Sequence, residues 1–175
     1  MANILFSNAY FYKFDEKQWR AKQPYPPYGT IYAAAALREC GFEVGLFDTN
    51  LKGSPAEILP VLENAKPQYL VIYDDGFNYL TKMCLTRMRE AAFELMKYGK
   101  KYGCTVIVNS SDSTDHYEEY LEQGADFVVL GEGEVALREL ILTLESGHWT
   151  SDSETQIDFS NILGIAYKST IGNQQ

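Results

Sequence analysis

Short apolar runs alternate with amphipathic helical patterns along this chain, and that alternation constrains the fold more than any other feature. The runs 3–6, 43–48, 69–73, 105–108 and 127–130 read as strands. A helical pattern over 28–40 stops at Gly41. Ser54 and Pro55 open the next helix as N-cap and first helical residue, and Ile58, Val61, Leu62 and Ala65 follow on one face. Residues 81–102 form the longest helix, with Cys84, Met88, Ala91, Ala92 and Leu95 on one face and Lys97, Lys100 and Lys101 near its end, as the helix dipole favours. Residues 115–123 and 135–144 complete the series. Five strands, each followed by a helix, predict a parallel sheet covered on both faces, in the flavodoxin-like order 2-1-3-4-5. The predicted domain spans 1–146. The stretch 147–175 reads as a polar linker followed by a strand-like lead-in, 162–167, to a further domain missing from this chain.

Composition narrows the function. Hydrophobic residues make up 46% of the 175 residues and charged residues 22%, which excludes disordered and fibrous classes. No apolar run approaches the roughly 20 residues that span a bilayer, and residues 1–6 lack the basic start of a signal peptide. Cys40, Cys84 and Cys104 are odd in number and far apart. They read as small buried residues in a reducing, cytoplasmic compartment, not as disulfides or metal ligands. The net charge of −9 is uneven: residues 112–160 hold 13 acids and one base, Arg138, whereas the rest carries a net +3. The acidic part reads as a solvated surface, and its charge disfavours nucleic acid.

A ligand of such a sheet binds beyond the carboxyl ends of the strands, where the strand order reverses. Four connections meet there. The first, 7–27, is long and carries Tyr10, Phe11, Tyr12, Phe14, Trp19 and Tyr25, with Tyr28 just beyond it. These rings suit a large planar ligand or a partner surface, or else a satellite cluster of their own. The second begins Asp74-Asp75-Gly76-Phe77-Asn78. The third, Asn109-Ser110-Ser111-Asp112, supplies amides and hydroxyls that either bond a ligand or cap the next helix. The fourth, Gly131-Glu132-Gly133-Glu134, lets a backbone approach a ligand closely or makes a tight turn with a charged cap. The acids after strand one and the lysine after strand five that a phospho-acceptor site requires are absent. His116 and His148 read as surface residues, and no nucleophile elbow is present. The sequence therefore offers no catalytic or metal-ligating set.

Several of these stretches occur together in one known family. Pro26-Pro27-Tyr28-Gly29, the alanine-rich Ala33 to Ala36, the Gly41 to Asp48 strand, Gly131-Glu132-Gly133-Glu134 and Leu163-Gly164-Ile165-Ala166-Tyr167 resemble, in order and spacing, the cobalamin-binding domain that precedes radical S-adenosylmethionine enzymes. The anaerobic magnesium-protoporphyrin monomethyl ester cyclases belong to that family. The resemblance implies a cobalamin module with no catalysis of its own. Its partner would be a radical S-adenosylmethionine barrel carrying an iron–sulfur cluster and S-adenosylmethionine, in a cyclase or methyltransferase. It also implies that the cofactor lies across the strand ends with its nucleotide tail down between strands. The lining would be Tyr28, Gly29, Asp75, Gly76, Phe77, Asn78, Ser110, Ser111, Gly131, Glu132 and Gly133. Two departures stand out. The family's Gly-Gly-x-His-Ala-Thr, whose glycines give the tail room, is here Asn109-Ser110-Ser111-Asp112-Ser113-Thr114. The cobalt-ligating Asp-x-His-x-x-Gly after strand one is absent. Two other readings stay open: a degenerate docking domain without cofactor, and a flavin-binding electron carrier.

Overall fold

The computed structural model describes residues 3–74, 85–147 and 158–168. Four five-residue strands, β1 (Asn3–Ser7), β2 (Glu43–Phe47), β3 (Tyr69–Tyr73) and β4 (Thr105–Asn109), and the shorter β5 (Phe127–Val129) run parallel. The order is β2-β1-β3-β4-β5, with a sixth strand beyond β5. The predicted order 2-1-3-4-5 is thus present, but the sheet has six strands, not five. The sixth, β6 (Ile165–Tyr167), pairs antiparallel with β5, Phe127 opposite Tyr167 and Val129 opposite Ile165. Periodicity identified the strand but not its partner. The open edge of β5 leaves backbone groups unpaired, and the returning chain satisfies them.

Alternate residues of each strand serve opposite faces. Ile4, Phe6, Tyr69, Val71, Tyr73, Ile107, Phe127 and Val129 face α2 (Tyr28–Glu39) and α7 (Glu134–Gly147). Leu5, Leu70, Ile72, Val106, Val108 and Val128 face α3 (Leu59–Ala65), α4 (Leu85–Lys101) and α6 (Tyr117–Glu122). Ser54 accepts a hydrogen bond from the Ala56 amide as predicted, although the turn it caps, Pro55–Ile58, is a 3-10 helix leading into α3. The helix expected over 115–123 begins earlier. Ser110 and Ser113 form a reciprocal capping box that opens α5 (Ser111–Asp115), and a break at His116 separates it from α6.

The first connection is not an open loop. It holds a 3-10 turn, Tyr12–Phe14, and α1 (Glu16–Ala21). Asp15 caps α1 through the Gln18 amide at 3.0 Å. Cys40 is exposed at the end of α2, contrary to the expectation of a buried residue. That position is the C-cap, where a side chain leaves the packed face of its helix. Cys104 is buried, and burial pushes its thiol up to about 11. Cys84 lies outside the described residues. The acidic part of the chain is not all solvated either: Asp126 pairs with Lys100 at 2.8 Å. A base from the positive part of the sequence thus meets an acid from the negative part. Among the described residues, no helix is long and apolar enough to cross a membrane.

Phe159 joins the tail to the sheet. Its ring lies 5.2 Å from Phe127 and 5.0 Å from Tyr167, centroid to centroid, and it is buried. Replacing it with alanine is expected to cost about 3 kcal/mol, the usual loss for a buried phenylalanine. A urea midpoint shifted by less than a third of that amount would place the tail outside the cooperative unit.

Candidate functional site

All five parallel strands end at one edge, so the connections after β1, β3, β4 and β5 converge there. Residues Asp75, Gly76, Phe77 and Asn78 lie outside the described residues. The other expected site residues do share this edge, but with different degrees of freedom.

The aromatics of the first connection divide into two groups. Tyr10, Phe11 and Tyr12 are buried and belong to the α4-side core. Tyr10 stacks on Tyr25 at 5.8 Å, Phe11 on Phe14 at 4.9 Å, and Tyr12 meets Trp19 edge-on at 5.7 Å. The Phe11 amide donates to Met88 Sδ at 3.4 Å. With Phe14 and Tyr25 packed against them, these rings join the main core on that side of the sheet and do not form a separate satellite cluster. Tyr28 differs: it is 70% exposed and stacks on Tyr32, itself exposed, at 6.4 Å. Of the seven rings named from the sequence, Tyr28 and Trp19 remain on the surface. Gly29 sits beside Tyr28 in the first turn of α2.

Under this rim lies a buried polar belt. Asn8 Oδ1 accepts from the Thr49 amide at 3.0 Å, and Thr49 Oγ1 lies 2.8 Å from both Asn8 Oδ1 and the Tyr10 carbonyl. Asn50 donates to the Tyr25 carbonyl at 2.8 Å, while its buried Oδ1 has no hydrogen-bond partner among the described residues. The sequence reading missed Asn8, Thr49 and Asn50. The available signal was a cluster of polar residues directly after two apolar strands.

After β4, Ser110 is committed locally. Its hydroxyl accepts from the Ser113 amide at 2.8 Å, and its own amide donates to Ser113 Oγ at 2.8 Å. Capping, one of the two roles expected of this loop, is the one observed for Ser110. Ser111 is exposed at the start of α5. Asn109, the last residue of β4, is buried, and its Nδ2 donates to the Val129 carbonyl at 2.9 Å and the Gly131 carbonyl at 3.1 Å.

The two glycines after β5 serve different ends. Gly131 has φ +66°, a conformation that favours glycine. Its amide donates to Thr114 Oγ1 at 3.0 Å, and a Cβ there would meet no heavy atom within 4 Å. Gly133 is packed: a Cβ would stand 2.8 Å from Asn109 Nδ2 and 3.0 Å from Val129 Cγ1. Glu132 is exposed, and Glu134 opens α7.

A charged network braces the outer side of the edge. Arg89 grips Asp112 with two hydrogen bonds, 2.7 and 2.6 Å, and reaches Glu119 at 3.2 Å. The Tyr120 hydroxyl donates to Asp112 at 2.8 Å, and His116 stands 3.8 Å away. Burial pushes the Asp112 carboxyl upward, but the Arg89 and Tyr120 hydrogen bonds and the Arg89 charge outweigh it and hold the group below its ordinary range. His116 is half exposed, and His148 lies outside the described residues. Among the described residues, no cluster of three or more histidine, cysteine or acidic side chains could hold a metal ion.

A carboxyl depressed in the folded state contributes stability above its unfolded pKa of about 4 and loses it as pH falls through the folded value. Asp112→Asn is therefore expected to cost about 2 kcal/mol at pH 7, the scale of hydrogen bonds to a charged group. Urea unfolding at pH 7 and pH 3 checks this. The gap between the two proteins should shrink at the lower pH, and a gap that widens would contradict the assignment.

No protein-family model matches the sequence, and no curated protein matches it. Among solved structures, the chain is similar to the cobalamin-dependent S-adenosylmethionine radical enzyme OxsB in three forms. With aqua-cobalamin bound, the TM-score is 0.64 at 18% identity. With aqua-cobalamin and S-adenosylmethionine bound it is 0.63 at 17%, and for the apo, selenomethionine-labelled form 0.61 at 17%. Each match covers 97% of this chain and 21% of that chain, so this chain spans about a fifth of the enzyme's length. At such identity the likeness is one of fold.

Proposed function

We propose that this chain is a corrinoid-binding module, which holds cobalamin at the C-terminal edge of its sheet and serves a radical S-adenosylmethionine catalytic domain. The observation that carries the reading is the fold likeness along 97% of the chain to an enzyme whose structures hold aqua-cobalamin. The motifs around Tyr28-Gly29, Gly131 to Glu134 and Gly164 to Tyr167 support it independently, and the parent would be of the cyclase or the methyltransferase type. The iron–sulfur cluster and S-adenosylmethionine belong, in this reading, to the catalytic domain.

The described residues fit part of such a cofactor. The exposed Tyr28–Tyr32 pair offers aromatic surface for contact with a flat ring. Gly131, with open space where a side chain would stand, lets its backbone approach a ring. Ser111 and Glu132 are exposed at the same edge and suit the amide fringe of a corrin. Ser110 contributes by shaping its loop through the capping box. The bound cobalt would supply the reactivity, and the protein's share is binding and orientation.

A docking module without cofactor is favoured by one observation, the Asn109 side chain packed against Gly133 where the family keeps glycine. A flavin carrier draws less support, because Ser7, the last residue of β1, and Asn8 beyond it are buried and present no phosphate loop.

Titration of the purified chain with hydroxocobalamin, followed by visible absorption, separates these readings. A saturable spectral change at micromolar cobalamin is expected, weakened about threefold or more by Tyr28→Ala, as loss of a flat apolar contact implies. No change at any cobalamin concentration would leave the docking module as the function.

A further inference from the structure

We infer that the seam between α2 and α7 is closed to ligand, so that the protein recognises a corrinoid by its ring at the rim and not by its nucleotide tail. This inference rests on the proposed corrinoid-binding function. Cobalamin is a flat ring with a long nucleotide tail ending in an aromatic base, and cobinamide is the same ring without the nucleotide. A tail that long either enters the protein or stays in solvent.

On the α4 side of the sheet the edge is covered by the first connection, whose Tyr10, Phe11 and Tyr12 are buried against the core. That leaves the opposite side, where α2 contacts α7 and β3, and where Gly133, just before α7, packs on the last residue of β4. Side chains at alternate positions of a strand share a face, so Tyr73 and Asn109 form the floor there, beyond Val71 and Ile107. Thr30 of α2, fully buried, donates from Oγ1 to the Tyr73 carbonyl at 2.5 Å and clamps that helix to the floor. On the other wall, Gly133 comes so near the Asn109 amide that even a methyl group would stand 2.8 Å from its nitrogen.

The Asn109 amide is not free to swing away. Both of its neighbours are carbonyl oxygens, so its NH2 group must face them, and moving it would strand two acceptors. Ala33, Ala136 and Leu137 are buried along the same seam. The sequence therefore places a hydrogen-bonded plug where the resembling family has glycine, and among the described residues it stands in the way of a tail base. An aromatic base buried in a slot adds about tenfold or more to affinity. A closed seam adds none.

Equilibrium dialysis of the full chain against dicyanocobalamin and dicyanocobinamide tests this. Cyanide holds both faces of the cobalt in each, so the compounds differ in the tail alone. The inference expects dissociation constants within about threefold of one another, or tighter binding of cobinamide. Cobalamin bound about tenfold more tightly would overturn it while leaving the corrinoid reading intact. Binding of neither compound would overturn the corrinoid reading and this inference with it. Asn109→Gly should shift the preference toward cobalamin about fivefold or more, with circular dichroism confirming the fold. Asn109→Ser, smaller and still a donor, replaces it if the glycine variant does not fold. An unchanged preference in a folded variant would remove Asn109 from its role as the plug.

Discussion

Two carbonyl oxygens at the end of β5, those of Val129 and Gly131, are satisfied by a single buried side chain, the Asn109 amide. The arrangement of the C-terminal edge follows from that bond pair. A buried carbonyl without a donor is costly, and β5 is too short to pair through its last turn. Asn109 supplies the missing donors from the neighbouring strand. In doing so it holds Gly131 in its left-handed turn and draws α7 close enough that only glycine fits at 133. Around this point the Ser110 cap, the Thr114 bond to Gly131 and the Arg89–Asp112 pair fasten the loop after β4 on three sides.

The loops after β4 and β5 are therefore tied to one another by hydrogen bonds and an ion pair. Among the described residues, the exposed features of the edge include the Tyr28–Tyr32 pair, Ser111, Gly131 and Glu132. On the proposed function, a surface of this kind would meet a flat ring by contact and backbone approach. It differs from the deep, mostly apolar cavity typical of small-molecule sites.

The two sides of the sheet also divide the labour. The side covered by α3, α4 and α6 absorbs the aromatic first connection, which makes a second layer of core over the strand ends. The side covered by α2 and α7 carries the glycine-containing loop, and the returning β6 closes the sheet margin with Ile165 on this side and Ala166 on the other. Through Gly164, whose carbonyl accepts from Leu130 at 2.7 Å, the tail touches the residue just before Gly131. The C-terminal segment is thus part of the edge that would hold a ligand.

Much of this was legible in the order of residues. Apolar runs of strand length, amphipathic stripes, and glycine stops at 41, 103 and 124 determine local structure, because they act through neighbours along the chain. Right-handed crossovers then reduce five such units to few arrangements, and the 2-1-3-4-5 order followed. The site was legible as a set of loops, not as a set of side-chain roles. Tyr10 and Tyr28 look alike in sequence, yet one is buried against Tyr25 and the other stands in solvent, because burial depends on what packs from elsewhere. Ser110 could cap or bind, and its cap became visible once Ser113 was seen to answer it. The acidic stretch looked solvated until Arg89 and Lys100, from the oppositely charged part of the chain, were found against Asp112 and Asp126. The sixth strand and the Asn109 plug each join residues distant in sequence, through hydrogen bonds that no local pattern encodes.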